Sequence, residues 1–301
     1  MSSLDFLQSL EHLRSPVLNG IFGGLTMLGS EEAYLALLVA VYLCVGHRFG
    51  FHLFVMFLLS VFSNSILKEA VSTQRPFIMY PDELHPLHVG TAGGPAFPSG
   101  HAQDSTVVWG IIAVRQGTRG WVIAAVLLAL GIGFSRVYLQ VHWPADVLGG
   151  WGIGALLVLG YLVVIGAWQK SNRTLSAMQG ALIIVVVSAL VLILGAGMDA
   201  ALRAGGTLLG AGVGFILLNA RGYDPQAPWF TQVLKVVVAV AVLLGLRAGI
   251  KVIIGVTAPA VYARYAAMGF TGTYLLPVFF SSFHDERTRS AGAPDEQADG
   301  H

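Results

Sequence analysis

Between Asp146 and Lys170 the chain carries no charged side chain. At about 1.5 Å of rise per residue, a helix from Pro144 to about Trp168 crosses a hydrocarbon core roughly 30 Å thick. Comparable apolar stretches recur along the chain. Only 11% of its residues are charged and 55% are hydrophobic, with a mean hydropathy of +0.72. A soluble domain carries about 25% charged residues. The chain therefore reads as a polytopic membrane protein of all-α class. Its formal net charge of +1 gives no electrostatic footprint for nucleic acid. The single cysteine, Cys44, cannot form an internal disulfide, and its apolar surroundings read as a buried thiol. No basic start followed by an apolar core opens the sequence, so the first membrane segments are expected to serve as insertion signals.

Residues 3–28 are mildly amphipathic and interrupted by Pro16 and glycines, as in an interfacial helix leading into a short re-entrant or spanning piece. Ser30 is placed to cap a helix over 33–45, with Glu31 and Glu32 at its positive end. Residues 46–50 read as a tight turn before a helix over 51–70. A long polar connection follows from Pro76 to Phe97, then helices over 101–114, 121–139 and 144–168. The turns at Arg48, at Arg115 and Arg119, and at Lys170 and Arg173 share one side of an up-and-down topology. Their basic character predicts that this side is cytoplasmic. Further helices are expected over 177–197, 205–220, 229–247 and 260–281. Residues 1–173 are read as the functional core, 174–283 as an additional helical block, and 284–301 as a flexible polar tail.

Three polar stretches fall on the side opposite the basic turns. They are Lys68 to Pro76, Phe97 to His101 and Phe134 to Gly150. A charge at mid-membrane costs about 2.5–3.5 kcal/mol on insertion scales, and any one of Lys68, Arg75 and Arg136 could snorkel to the interface. Together they make an environment for a dianionic phosphate, with Arg as a planar fork and Lys as a point charge. Pro98-Ser99-Gly100-His101 stands directly before an apolar helix. There Ser99 can cap, Gly100 admits a close ligand, and free N–H groups bind anions. Asp146, in the first turn after Pro144, can accept a hydrogen bond from one ring nitrogen of His142 and leave the other as a nucleophile.

These three stretches, K-x6-R-P from Lys68, P-S-G-H from Pro98 and S-R-x5-H-x3-D from Ser135 to Asp146, resemble the signature of the type 2 phosphatidic acid phosphatase superfamily, also called lipid phosphate phosphatases. The resemblance covers residues 25–170. It implies a six-helix membrane core, to which the block over 174–283 adds further helices. It implies that Lys68, Arg75 and Arg136 hold phosphate with Ser99 and the backbone at Gly100. His142 would attack phosphorus, Asp146 would orient it, and His101 would serve as acid and then base. No metal or other cofactor is implied, because cations stabilise the transition-state charge. The expected partners are a lipid phosphate and membrane lipids, and a homo-oligomer is left open.

His85 and His88 form an H-x-x-H pair with a proline between them, which suits a solvated lid better than a metal site. Trp121, Trp143, Trp151, Trp168 and Trp229 fall near expected helix ends, as in an aromatic belt. The expectation is a lipid phosphatase of a bacterial inner membrane with its pocket on the outer face. The candidate substrates are a polyprenyl pyrophosphate, phosphatidylglycerol phosphate, phosphatidate or a sphingoid phosphate. A vanadate haloperoxidase, a lipid-to-lipid phosphotransferase and a non-catalytic transporter or scaffold are the alternatives.

Overall fold

The computed structural model describes residues 2–171 and 174–282; the expected tail over 284–301 lies outside them. Among the described residues all regular structure is helical. The helices are α1 (Ser3–Glu11), α2 (Pro16–Leu28), α3 (Glu31–Ala40), α4 (His47–Val71), α5 (Pro76–Met79), α6 (Gly100–Gln116), α7 (Arg119–Tyr138), α8 (Pro144–Ser171), α9 (Ala177–Leu194), α10 (Asp199–Arg221), α11 (Trp229–Ile254) and α12 (Ala258–Phe270). Val41–Val45 and Thr271–Leu275 are π turns, and Val89–Thr91 is a 3-10 turn. Six stretches of the described residues are long and apolar enough to cross a membrane, and a seventh arises if α2 and Glu31–Val45, bent by 55°, count as one span. The protein is an integral membrane helix bundle.

The described residues divide into two compact units, 2–38 with 52–171 and 174, and 39–51 with 175–282. The first unit is built around α6, α7 and α8. Gly117, at φ +67°, ends α6 in the left-handed conformation, which glycine adopts without a steric penalty. Thr118 caps α7 through the N–H of Trp121. α8 lies close against the start of α6 because two of its glycines face backbone. A Cβ on Gly150 would fall 2.5 Å from the carbonyl oxygen of Ser99, and one on Gly154 would fall 2.8 Å from that of Gln103. Small residues permit this approach.

Several details depart from the sequence reading. α1 buries Leu7 and Leu10 with Leu84, Ala102, Val137 and Val147, so its apolar face packs on protein. Its start carries a capping box between Ser2 and Asp5. Residues 47–50 already belong to α4, and the turn is confined to Gly46. Trp151 sits within α8 and donates to the carbonyl of Ala129 at 2.9 Å, so it serves packing between helices and not a belt.

In the second unit α10 starts at Asp199, six residues before the expected 205. Gly205-Gly206 does not break it. A Cβ on Gly206 would lie 2.4 Å from the carbonyl oxygen of Tyr262, and one on Gly210 would lie 1.8 Å from that of Ala266. The glycines are packing positions against α12. The Tyr42 hydroxyl donates to the Thr273 carbonyl at 2.9 Å, and the Tyr223 hydroxyl to the Leu43 carbonyl at 2.8 Å. These bonds attach residues 39–51 to this unit. Cys44 is a half-buried free thiol 3.8 Å from the Gln232 carbonyl.

Candidate active site

Lys68 stands in the last turn of α4, and Arg75 directly precedes Pro76 of α5. Ser99 and His101 flank the start of α6, Arg136 stands in the last turn of α7, His142 lies two residues before α8, and Asp146 is in its first turn. The first unit brings all of them together. The close approach of α8 to α6 places the Ser99 N–H on the Asp146 carbonyl at 2.9 Å. The return of the chain after α7 places the His142 N–H on the Arg136 carbonyl at 3.3 Å.

His142 is 2% exposed and held at both ring nitrogens. Nδ1 lies 3.2 Å from Asp146 Oδ2, and Nε2 lies 3.1 Å from Arg75 Nη1. A guanidinium can only donate, so Nε2 is the acceptor and Nδ1 carries the proton given to Asp146. Asp146 Oδ2 also accepts the Trp143 N–H at 2.8 Å. The carboxylate thereby serves the helix start and the imidazole with one oxygen. Burial, then the charges of Arg75, Arg136 and Lys68, push protonation of His142 well below its ordinary pH range. The ring is a neutral imidazole with its lone pair at Nε2.

The cations are held largely by backbone of the long connection. Arg75 donates through Nε to the Gly94 carbonyl, through Nη1 to the Val141 carbonyl and His142, and through Nη2 to the Gly93 and Pro95 carbonyls. Every N–H of its guanidinium has an acceptor. Lys68 Nζ donates to the Pro95 carbonyl at 2.6 Å. Arg136 Nη1 donates to the hydroxyls of Thr26 and Thr91, and Nη2 to the Thr91 carbonyl at 3.1 Å. Arg136 Nε, Ser99 Oγ and His101 Nε2 are buried with no hydrogen-bond partner among the described residues. Ser99 makes no side-chain cap, contrary to expectation, so its hydroxyl and the first N–H groups of α6 stay free to meet an anion. A Cβ at Gly100 would make only ordinary contact, 3.4 Å from Asn64 Oδ1. Its missing side chain is therefore not demanded by neighbouring protein.

Sequence reasoning missed the supports of this site. Thr26, Thr91 and the carbonyls of residues 93–95 bear no motif. Asn64 Nδ2 donates to the Pro98 carbonyl and to Gln103 Oε1, and Gln103 Nε2 donates to Ser60 and Ser63. That buried network joins α4 to the α6 corner. Gln140, at φ +59°, donates through Nε2 to the Leu7 carbonyl and Glu11, and its Oε1 accepts the His85 N–H. It ties α1 to the His142 stretch. His85 Nδ1 lies 2.9 Å from Glu11 Oε1, while the His88 ring lies against Gly23. The H-x-x-H pair is thus split between two neighbours.

A family model described as the PAP2 superfamily matches residues 49–173. A second, the transmembrane extension of PAP2 superfamily phosphatases, matches residues 202–288. Phosphatidylglycerophosphatase B of Bacillus subtilis (strain 168) is 32% identical over 178 residues, which cover 54% of this chain and 80% of the relative. The chain belongs to the PAP2 superfamily. It is an integral membrane phosphatase of this lipid phosphatase family. The second match places residues 202–288, which overlap the block read as an addition to the six-helix core, in an extension of the same superfamily. Undecaprenyl-diphosphatase of Sulfolobus acidocaldarius is 24% identical over 157 residues, covering 51% of this PAP2 chain and 73% of the relative. Among solved structures, the transmembrane PAP2-type phosphatidylglycerolphosphate phosphatase of Bacillus subtilis aligns with a TM-score of 0.48 at 26% identity. That alignment covers 58% of this chain and 87% of the other.

Proposed function

We propose that this PAP2 phosphatase removes the terminal phosphate of a lipid phosphate or pyrophosphate through a phosphohistidine on His142, without a metal ion. The observation that carries the reading is the imidazole held between Asp146 and Arg75, which fixes a neutral tautomer with its lone pair at Nε2. The phosphate would lie against the unpartnered donors of Arg136, Ser99 and the start of α6, with Lys68 adding charge. Its arrival turns the Arg75 Nη1 donor from Nε2 to a phosphate oxygen and uncovers the lone pair. Nε2 then attacks phosphorus, the phosphorus–oxygen bond to the leaving group breaks, and His101, brought to its imidazolium form by the charge of the bound phosphate against the burial and cations that disfavour it in the empty site, gives that oxygen its proton. In the second step His101 takes a proton from water, the hydroxide attacks phosphorus, and the Nε2–phosphorus bond breaks to release inorganic phosphate. Asp146 stabilises the positive ring while the phosphorus–nitrogen bond exists.

The candidate substrates share a phosphate head on an apolar tail. They are a polyprenyl pyrophosphate, phosphatidylglycerol phosphate, phosphatidate and a sphingoid phosphate. The relatives' names, a phosphatidylglycerophosphatase and an undecaprenyl-diphosphatase, favour the first two. The basic turns at Arg48, Arg115, Arg119 and Lys170 support a pocket on the outer face of a bacterial inner membrane. Phosphate release by the purified protein from this lipid panel, in excess chelator, tests the reading. Turnover of at least one lipid at an undiminished rate is expected, competitively inhibited by vanadate. Activity that chelator abolishes and a divalent ion restores would contradict it.

A further inference from the structure

We infer that the second unit binds the phosphate of an anionic lipid between Arg264 and Arg203. Between residues 175 and 282 six basic side chains, Arg203, Arg221, Lys235, Arg247, Lys251 and Arg264, face two acidic ones, Asp199 and Asp224. Among these described residues the cations outnumber the carboxylates three to one. Four of the six fall at one end of it. The contacts of Gly206 with Tyr262 and of Gly210 with Ala266 run α10 parallel to α12, so Arg203 and Arg264 both lie toward their starts. Leu243 lies opposite Gly272, and the polypeptide reverses between α11 and α12. Counting eight residues on from Leu243 and eight back from Gly272 puts Lys251 level with Arg264, and Arg247 lies one turn away. The acidic residue at this end is Asp199, 3.5 Å from Arg203.

Arg264 is 6% exposed, and its Nε and Nη1 are buried with no hydrogen-bond partner among the described residues. Its Cζ lies 5.3 Å from the centroid of the Tyr265 ring, and the Cζ of Arg203 lies 5.9 Å from the same centroid. An aromatic face holds a guanidinium while leaving its N–H edge free. Both guanidinium carbons thus lie within 6 Å of one ring centroid, and planar donors of this kind suit the oxygens of a phosphate. A cation among membrane helices pairs with an anion or marks a binding path. The depth argues for a lipid over a free ion. Arg264 lies about 9 Å along α12 from its first residue, and the helices around it expose apolar side chains such as Leu182, Ile193 and Val252. A headgroup phosphate, with its acyl chains along those faces, fits that position.

Native mass spectrometry of the full-length protein in detergent tests this, with phosphatidylglycerol, phosphatidylcholine or inorganic phosphate added. Phosphatidylglycerol is a diester and is not a phosphatase substrate. The wild type should retain one phosphatidylglycerol with an apparent Kd about tenfold lower than Arg264→Gln, and phosphatidylcholine should show no difference. Arg203→Gln, at an exposed position, should weaken the same lipid severalfold and keeps the test valid if Arg264→Gln misfolds. Hydrolysis of a soluble phosphate ester and the thermal unfolding temperature report folding of each variant. Equal phosphatidylglycerol affinity in the wild type and a folded variant would overturn the site. Displacement of the lipid by millimolar inorganic phosphate would overturn its assignment to lipid.

Discussion

At the scale of single residues, the chemistry rests on which nitrogen of His142 carries the proton. Asp146 Oδ2 accepts both the Nδ1 proton and the Trp143 N–H, so an asparagine can keep both bonds through its carbonyl oxygen. Asp146→Asn therefore loses the negative charge more than the geometry. It should slow kcat by about 10²–10⁴ while KM stays within about threefold. Asp146→Ala, which also strips the helix start of its acceptor, should be slower still. An Asn variant with normal kcat and raised KM would place Asp146 in binding. The depressed protonation of His142 has a sign that can be checked. Burial and the three cations hold it neutral well below its ordinary range, so protonation of the His142 ring should contribute no fall in kcat/KM as pH drops through about 6.5. Removing a cation by Arg75→Gln should move the acid limb to higher pH; a limb that stays in place would contradict the cause given. The motif residues were legible in the sequence because each sits at a fixed offset from a helix end. Their supports were not. Backbone carbonyls at 93–95 have no residue-type signature, and Thr26 reaches Arg136 across 110 positions.

At the scale of elements, the site exists because α8 can lie against the start of α6. Gly150→Val would drive a side chain into the Ser99 carbonyl and separate the Ser99–His101 corner from Asp146. Overpacking of this kind costs about 1–3 kcal/mol or more. The expected result is a lower thermal unfolding temperature together with a kcat reduced at least about tenfold, since the catalytic groups need placement to within about 1 Å. Unchanged stability and rate would show that the contact does not position the corner. Helix existence was readable from apolar length, while the start of α10 was displaced where its glycines serve packing. Gly205 and Gly206 stand at the expected start of a helix over 205–220, yet they lie inside α10, where Gly205 faces Leu192 and the Ser188 carbonyl of α9 and Gly206 faces the Tyr262 carbonyl of α12. Likewise α1 reads as interfacial from its amphipathic pattern, and only the fold supplies Leu84, Val137 and Val147 as the surface that covers it.

At the scale of the whole molecule, the proposed sidedness rests on the basic turns alone, and it can be tested without a structure. In a Cys44→Ser background, Glu31→Cys should react with a membrane-impermeant maleimide in intact cells. Arg119→Cys should react only after lysis. The reverse pattern would move the proposed site to the cytoplasmic face. The assignment to the PAP2 superfamily spans both the catalytic unit and the extension, since the two family models together match residues 49–173 and 202–288.

The central claim is a covalent bond between phosphorus and Nε2 of His142. Rapid quenching of the enzyme with a radiolabelled lipid phosphate, followed by peptide mass spectrometry, tests it directly. An acid-labile, base-stable phosphohistidine is expected at His142 and should be absent from His142→Ala, which should also lack turnover. Label on another residue, or turnover by His142→Ala near the wild-type rate, would contradict it.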